Sequence, residues 1–377
     1  MNRESQLLIA ALGRAITGDK RQLNTQVDWD AFMKLARSHG VEGLVYAGLQ
    51  GQTLPQPVQE RLFGAYHQAI FADSQLEYVK EQLQSGLREK QVSHVFLKGA
   101  RLKYDYPIPA LRTMSDMDIL VYTRDYDAID AVSLSLGGTL LEGDGNHRNF
   151  KFPGGVKVEF HPNILHHSAP IGSQVNPGWQ YVRDGEMTEE GFYLTVMAHL
   201  ADHFVTGGIG VRFVLDIWVL NNLRKAPRDR AYVESELTRF GLLAFARNVE
   251  ELASAWFGSG EMTPVLAELG DYILTSGSHG FTDRAILNSV TLSSGGNRAS
   301  ALWRKVFYPR SELEDRFPWC KDKPLLLPAA WCVRAFRAVT RRGDLVLKWA
   351  KETGSVSPEE IRKQRELLNR FGIGRDQ

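Results

Sequence analysis

The apolar positions of the first ninety residues recur at helical spacing. In VDWDAFMKLARSHGVEGLVYAGL, residues Trp29, Phe32, Met33, Leu35 and Ala36 fall near a 3.6-residue period behind an Asp-rich start, which predicts a helix. Pro55 and Pro57 interrupt the pattern. Residues 58–90 then resume it as one long amphipathic helix, with Leu62, Ala65, Ile70, Leu76, Val79 and Leu83 on a single stripe.

At Val92 the period changes. SHVFLKG is short, apolar and β-branched and ends in glycine, which predicts a strand. A helical turn, ARLKYDY, runs into Pro107 and Pro109, and DMDILVY reads as a second strand. Thr123 is placed to cap a helix over RDYDAIDAVSLSL that Gly137-Gly138 ends. RNFKF and VKVEFH flank Pro153-Gly154-Gly155, a hairpin signature.

From about Glu186 the helical period returns in GFYLTVMAHLADHF, GVRFVLDIWVLNNLRK and RAYVESELTRFGLLAFARNVEELASAWF. Residues 275–300, rich in Gly and Ser, read as a loop, and the tail carries PLLLPAAWCVRAFRAV and a final basic helix. The order predicts an α+β chain: a helical region over 1–90, a small mixed-sheet core over 91–185, a helical domain packed on it over 186–300, and a helical tail over 301–377.

Composition changes this picture little. A chain of 377 residues exceeds what one hydrophobic core usually serves. Its net charge of +1 advertises no nucleic-acid partner. No apolar run reaches the length of a membrane span, and LLIAAL at 7–12 is too short for a signal-peptide core. Two cysteines, Cys320 and Cys332, form neither a disulfide framework nor a zinc set, which fits a cytoplasmic protein.

The chemistry concentrates in the predicted sheet. Asp116 and Asp118 stand two apart, so a strand puts both on one face, with Met117, Ile119 and Val121 on the other. Carboxylates so placed can share hard cations roughly 3.5–4 Å apart, as in-line nucleotidyl transfer requires, and oxygen ligands suit magnesium. Lys98 and Gly99 end the first strand, where glycine permits close backbone approach and lysine supplies a charge for phosphate. Arg112 and Ser115 offer further groups for phosphate oxygens. In VKVEFH, Glu159 alternates with Val158 and Phe160 and shares a face with Lys157 and His161, so a third carboxylate faces away from the apolar side.

The ensemble FLKGARL…LRTMSDMDILV…VKVEFH resembles the bacterial uncharacterised nucleotidyltransferase family (type five) of the polymerase-beta superfamily. It is also similar to abortive-infection toxins with a KGG…R-x-S-x-DID pattern. DWDAFMKLARSHGVEGLVYAGL, the HLADHF and VRFVLDIWVL helices and LLLPAAW look like that family's flanks. The resemblance implies a polymerase-beta-like mixed sheet with helices behind it. It also implies transfer of a nucleoside monophosphate from a nucleoside triphosphate to a hydroxyl-type acceptor, with release of pyrophosphate. Asp116 and Asp118 would bind two magnesium ions, Glu159 the one at the acceptor, and Lys98, Gly99, Arg112 and Ser115 the triphosphate. The chain departs from the superfamily pattern at Ala100, where Gly or Ser is usual, and in a longer spacing from Gly99 to Asp116. A nucleotide-binding sensor or scaffold, or a toxin-like modifier of protein or tRNA, is the alternative. An intact acidic triad disfavours the sensor.

Four features lie outside this ensemble. His199, Asp202 and His203 share one helix face but lack the Glu of a zinc-protease motif; with Arg212 and Asp216 on the next helix they form a possible acceptor wall. Tyr193, Phe204, Phe213 and Trp218 fit a core better than a base-stacking platform. Residues 331–377 carry eleven Lys or Arg against six acids, including Arg334, Arg337, Arg341, Arg342, Lys348 and Lys351; a solvated face accounts for them more simply than a membrane or RNA surface. His39 and His94 are isolated and read as structural.

Overall fold

The computed structural model describes residues 1–122, 126–143, 147–165, 178–276, 282–293, 310, 313–314, 317–321, 323–336, 340, 351, 353 and 355–373. Four helices open the chain. α1 (Arg3–Thr17) is capped by the Asn2 side chain, and α2 (Trp29–Ser38) by Asp28, which accepts from the Asp30 and Ala31 N–H groups. α2 ends at His39, and α3 (Glu42–Gly48) follows as a separate helix. α4 (Gln56–Glu89) is a single long helix. Its buried stripe is Leu62, Ala69, Leu76 and Leu83, with Val79 and Leu87 beside it. Ile70, expected on that stripe, is 39% exposed. The stripe steps by seven residues, which keeps it facing one neighbour along the whole length, and Ile70 lies about 100° round from Ala69.

The sheet has five strands in the order β1-β2-β5-β4-β3: β1 (His94–Phe96), β2 (Met117–Val121), β3 (Thr139–Gly143), β4 (Arg148–Lys151) and β5 (Lys157–His161). It is mixed, because β2 pairs with β5 in parallel while the β1–β2, β4–β5 and β3–β4 pairs are antiparallel. The Pro153-Gly154-Gly155 turn joins β4 to β5 as its composition predicts. A short helix, α5 (Gly99–Leu102), follows β1, and α6 (Asp127–Ser135) follows β2. Thr123, the expected cap of α6, lies outside the described residues; Tyr126 precedes the helix and gives no side-chain cap.

One face of the sheet packs on α4 and α6. Met117, Ile119, Val121, Val158 and Phe160 meet Leu83, Leu87, Ile129 and Val132 there. Leu120, on the other face of β2, belongs to a larger core shared with the helices. β2 is therefore covered on both sides beyond Asp118, and only its start opens outward.

α7 (Glu189–Thr206), α8 (Val211–Asn222), α9 (Arg230–Arg239), α10 (Leu243–Phe257), α11 (Pro264–Ser276) and α12 (Thr282–Ser293) follow. The run RAYV…SAWF is two helices, parted at Phe240–Leu242, where Gly241 takes φ 67°. The expected loop over 275–300 contains α12 between its two Gly/Ser runs, and most of those runs lies outside the described residues. Leu8 and Leu12 of α1, Phe32 of α2, Phe192 and Leu200 of α7, Phe245 and Val249 of α10 and Phe371 after the C-terminal helix (Pro358–Arg370) join one core. The first and last thirds of the chain thus bury a common interior. Arg337, Arg341, Arg342 and Lys348 lie outside the described residues. No described helix is long and apolar enough to cross a membrane.

Candidate active site

The parallel pairing of β2 with β5 sets Asp118 directly opposite Glu159. Side chains at such partnered positions emerge on the same face of a sheet, so two carboxylates distant in sequence become neighbours. Asp116, one residue ahead of β2, lines the same cleft of about 790 Å³ with both of them.

His161, two residues past Glu159, brings its Nε2 within 3.2 Å of Asp118 Oδ1 and 3.3 Å of Glu159 Oε2. Nε2 is buried and in ion-pair range of both acids, yet in hydrogen-bond geometry with neither. Ligand atoms of Asp118, Glu159 and His161 all lie within 4.8 Å of one another. The sequence placed His161 on the Glu159 face but gave it no role; its i+2 relation to Glu159 was the available signal.

Lys98 takes a left-handed conformation, φ 48° and ψ −125°, rare for any residue but glycine. The twist sends Nζ to within 2.8 Å of Asp118 Oδ1. Gly99 begins α5 directly over Arg112: a Cβ there would come 2.1 Å from Arg112 Nη1, so only glycine lets this loop lie on the guanidinium. Arg112 is itself committed. Its Nη2 donates to Asp216 Oδ2 at 2.6 Å and its Nε to Oδ1 at 3.2 Å, while Tyr106 donates to Oδ1 at 2.6 Å. Asp216 is buried in this network and does not line the cleft, so the expected wall reduces to His199, His203 and Arg212. Ser115 is exposed and donates to Asp116 Oδ1 at 2.9 Å. Ala100, at the position of the missing hydroxyl, is buried in the sheet core.

Charge in the cleft follows from these contacts. Burial would raise the Asp118 carboxyl, but Lys98 and His161 outweigh it and hold it far below the ordinary carboxylate range. Asp116 moves the other way, pushed up by burial and by the Asp118 charge. Glu159 is lowered, chiefly by His161. Burial disfavours the His161 cation, yet its two acidic neighbours raise its pKa.

Across the cleft, His199 and His203 of α7 meet edge to face at 4.1 Å, with Phe213 of α8 beside them. Phe213 is thus a half-buried lining residue, whereas Tyr193, Phe204 and Trp218 are buried as expected. Arg212 donates to the Thr113 carbonyl at 2.6 Å, and no carboxylate pairs with it among the described residues.

Residues 25–258, more than half of the chain, match the uncharacterised nucleotidyltransferase family. The chain belongs to this family. The matched span holds α2 to α10 and therefore the whole sheet and both walls of the cleft. Its mixed five-stranded sheet with helical flanks is the architecture of a nucleotidyltransferase core. No curated protein and no solved structure matches the chain.

Proposed function

We propose that this family member transfers a nucleoside monophosphate from a nucleoside triphosphate to a hydroxyl-type acceptor and releases pyrophosphate. The observation that carries this reading is the register of β2 on β5, which joins Asp118 to Glu159 with Asp116 at the same mouth. The donor set fits a divalent cation, since ligand atoms of Asp118, Glu159 and His161 converge, Asp116 lines the same cleft, and the buried His161 Nε2 has no hydrogen-bond partner among the described residues. Asp116, Asp118 and Glu159, with His161 beside them, would hold magnesium. When bound, it supplies charge to the phosphates and lowers the pKa of the acceptor.

The chain's own groups do the rest. Lys98, on its strained turn, keeps a positive charge against Asp118 and within reach of a phosphate. Arg112 lines the cleft with its guanidinium against Gly99, but Asp216 pairs with it, so part of the charge it offers a phosphate is already neutralised. Arg212 lines the cleft and is in ion-pair contact with no carboxylate among the described residues, so it is a cation that can meet a substrate anion.

The test is incubation with each of the four triphosphates and magnesium, followed by assay of pyrophosphate and of self-modification by mass spectrometry. Calorimetry should find triphosphate binding that requires a divalent cation and is lost in Asp118→Asn, because a polyphosphate beside cations needs anionic oxygens from the protein. Equal affinity in EDTA and in magnesium would sink the metal-dependent reading.

A further inference from the structure

The cleft of the acidic triad holds a further carboxylate that the reaction described so far does not use. Asp202 lies on α7 three residues after His199, and both side chains line the cleft. The intervening Leu200 and Ala201, and Phe204 beyond, point into the core. Asp202 Oδ1 is buried and has no hydrogen-bond partner among the described residues. Such an atom costs on the order of 1–3 kcal/mol while nothing meets it, so a carboxylate that lines a cavity and keeps one is a group waiting for a donor.

We propose that Asp202 is the proton acceptor for the nucleophilic hydroxyl of the acceptor substrate, a role that rests on the transfer reading above. The acceptor sits between α7 and the triad, with its hydroxyl hydrogen-bonded to the Asp202 carboxylate. As the acceptor oxygen forms its bond to the α-phosphorus, its proton passes to Asp202. The bond from phosphorus to the bridging oxygen breaks, and its electron pair leaves with pyrophosphate. Asp202 later returns the proton to water.

Three facts select Asp202 over its neighbours. Asp118 and Glu159 are engaged by Lys98 and His161. Asp216 is spent on Arg112 and Tyr106 inside the protein. Among the described acids of the cleft, Asp202 alone keeps a buried oxygen without a hydrogen-bond partner, and it comes from α7 rather than from the sheet. Burial also raises its carboxyl to about 6, which Lys98 only partly offsets. A base near that value accepts a proton in the transition state at neutral pH far better than an ordinary carboxylate. The charged and titratable groups lining the cleft with it are His199 and His203 on its own helix, Arg212 on α8, Arg37 on α2, Lys98, Arg112 and Asp116 from the loops beside the sheet, His147 just ahead of β4, and Asp118, Glu159 and His161 from the sheet.

The test uses the full chain with water and its own hydroxyls as acceptors, each triphosphate in turn, and pyrophosphate release as readout between pH 5 and 9. Asp202→Asn should lower kcat on the order of a hundredfold, the usual scale of a lost general base, with KM for the triphosphate within twofold. The wild-type rate should fall below a midpoint near 6, and that acid limb should vanish in Asp202→Asn. Asp202→Glu, which keeps a carboxylate on a longer stem, should retain the limb at an intermediate rate. Equal rates and an unchanged limb in Asp202→Asn overturn the proposal and leave the transfer reading standing. A parallel loss of triphosphate affinity also overturns it, since the residue would then act on binding. A wild type that releases no pyrophosphate with any triphosphate removes both.

Discussion

Lys98 shows how much a single backbone conformation decides at this site. Its φ of 48° costs on the order of 1–3 kcal/mol for a side-chain-bearing residue, and the return is an ammonium held against Asp118. Replacing Lys98 by Gly and by Ala separates the two effects. Both variants lose the charge, but only glycine relieves the strain, so Lys98→Gly should be about 1 kcal/mol more stable than Lys98→Ala. Urea denaturation of the pair measures this; an Ala variant at least as stable as the Gly variant would mean the turn is unstrained. Both should bind triphosphate more weakly than the wild type. From the sequence, Lys98 was a strand end beside a glycine. Nothing local signals a positive φ at lysine, because tertiary contacts impose it.

At the scale of elements, the Arg112–Asp216 pair ties the loop before β2 to α8 and underlies the Lys98–Gly99 turn. Read from the sequence, both residues belonged to ligand walls; in the fold they hold each other. The reason is desolvation: a buried guanidinium needs a buried carboxylate, and that need outweighs any pull from an open cleft. Asp216→Ala strands the arginine charge and the Tyr106 hydroxyl, so stability should drop by about 3–5 kcal/mol. The double variant Arg112→Met/Asp216→Leu, with no charge left to strand, should lose less. A shift of the urea midpoint in the double variant as large as in the single one would show that the pair does not act as a unit. The strands and the β4–β5 turn were legible because alternation and Pro-Gly-Gly are local signals. The parallel pairing of β2 with β5 was not, since a register between segments about forty residues apart leaves no local trace.

Over the whole molecule, His39 joins the first helices to the last ones. Its ring is fully buried; Nε2 donates to the Leu274 carbonyl at 3.2 Å, and Nδ1 accepts from the Val211 N–H at 3.2 Å. Both nitrogens are used by the neutral ring, and burial lowers the pKa from 6.5 to about 4. The folded pKa lies below the unfolded one, so below pH 6.5 the unfolded chain takes up a proton that the folded chain refuses. Stability contributed by His39 is present above pH 6.5 and is lost as pH falls towards 4, by about 2 kcal/mol between pH 7 and pH 5. Guanidinium unfolding of the wild type and His39→Gln at the two pH values isolates this, since other groups cancel in the comparison. A pH dependence as steep in the variant as in the wild type would assign the acid lability elsewhere.

By itself the sequence determined what depends on near neighbours. The helical period of α4 and α7, the alternation of β5, the turn at Pro153-Gly154-Gly155 and the pairing of Asp116 with Asp118 on one face all follow from spacing along the chain. Tertiary structure alone decided which charges stay free. Asp216 was withdrawn from the cleft by its burial against Arg112, His161 was brought onto Asp118 by strand register, and Asp202 was left lining the same cleft with an unpartnered oxygen. Local pattern fixes the face on which a side chain emerges; what meets it there depends on segments packed from elsewhere, and desolvation then sets which groups are consumed by the fold and which remain for a substrate.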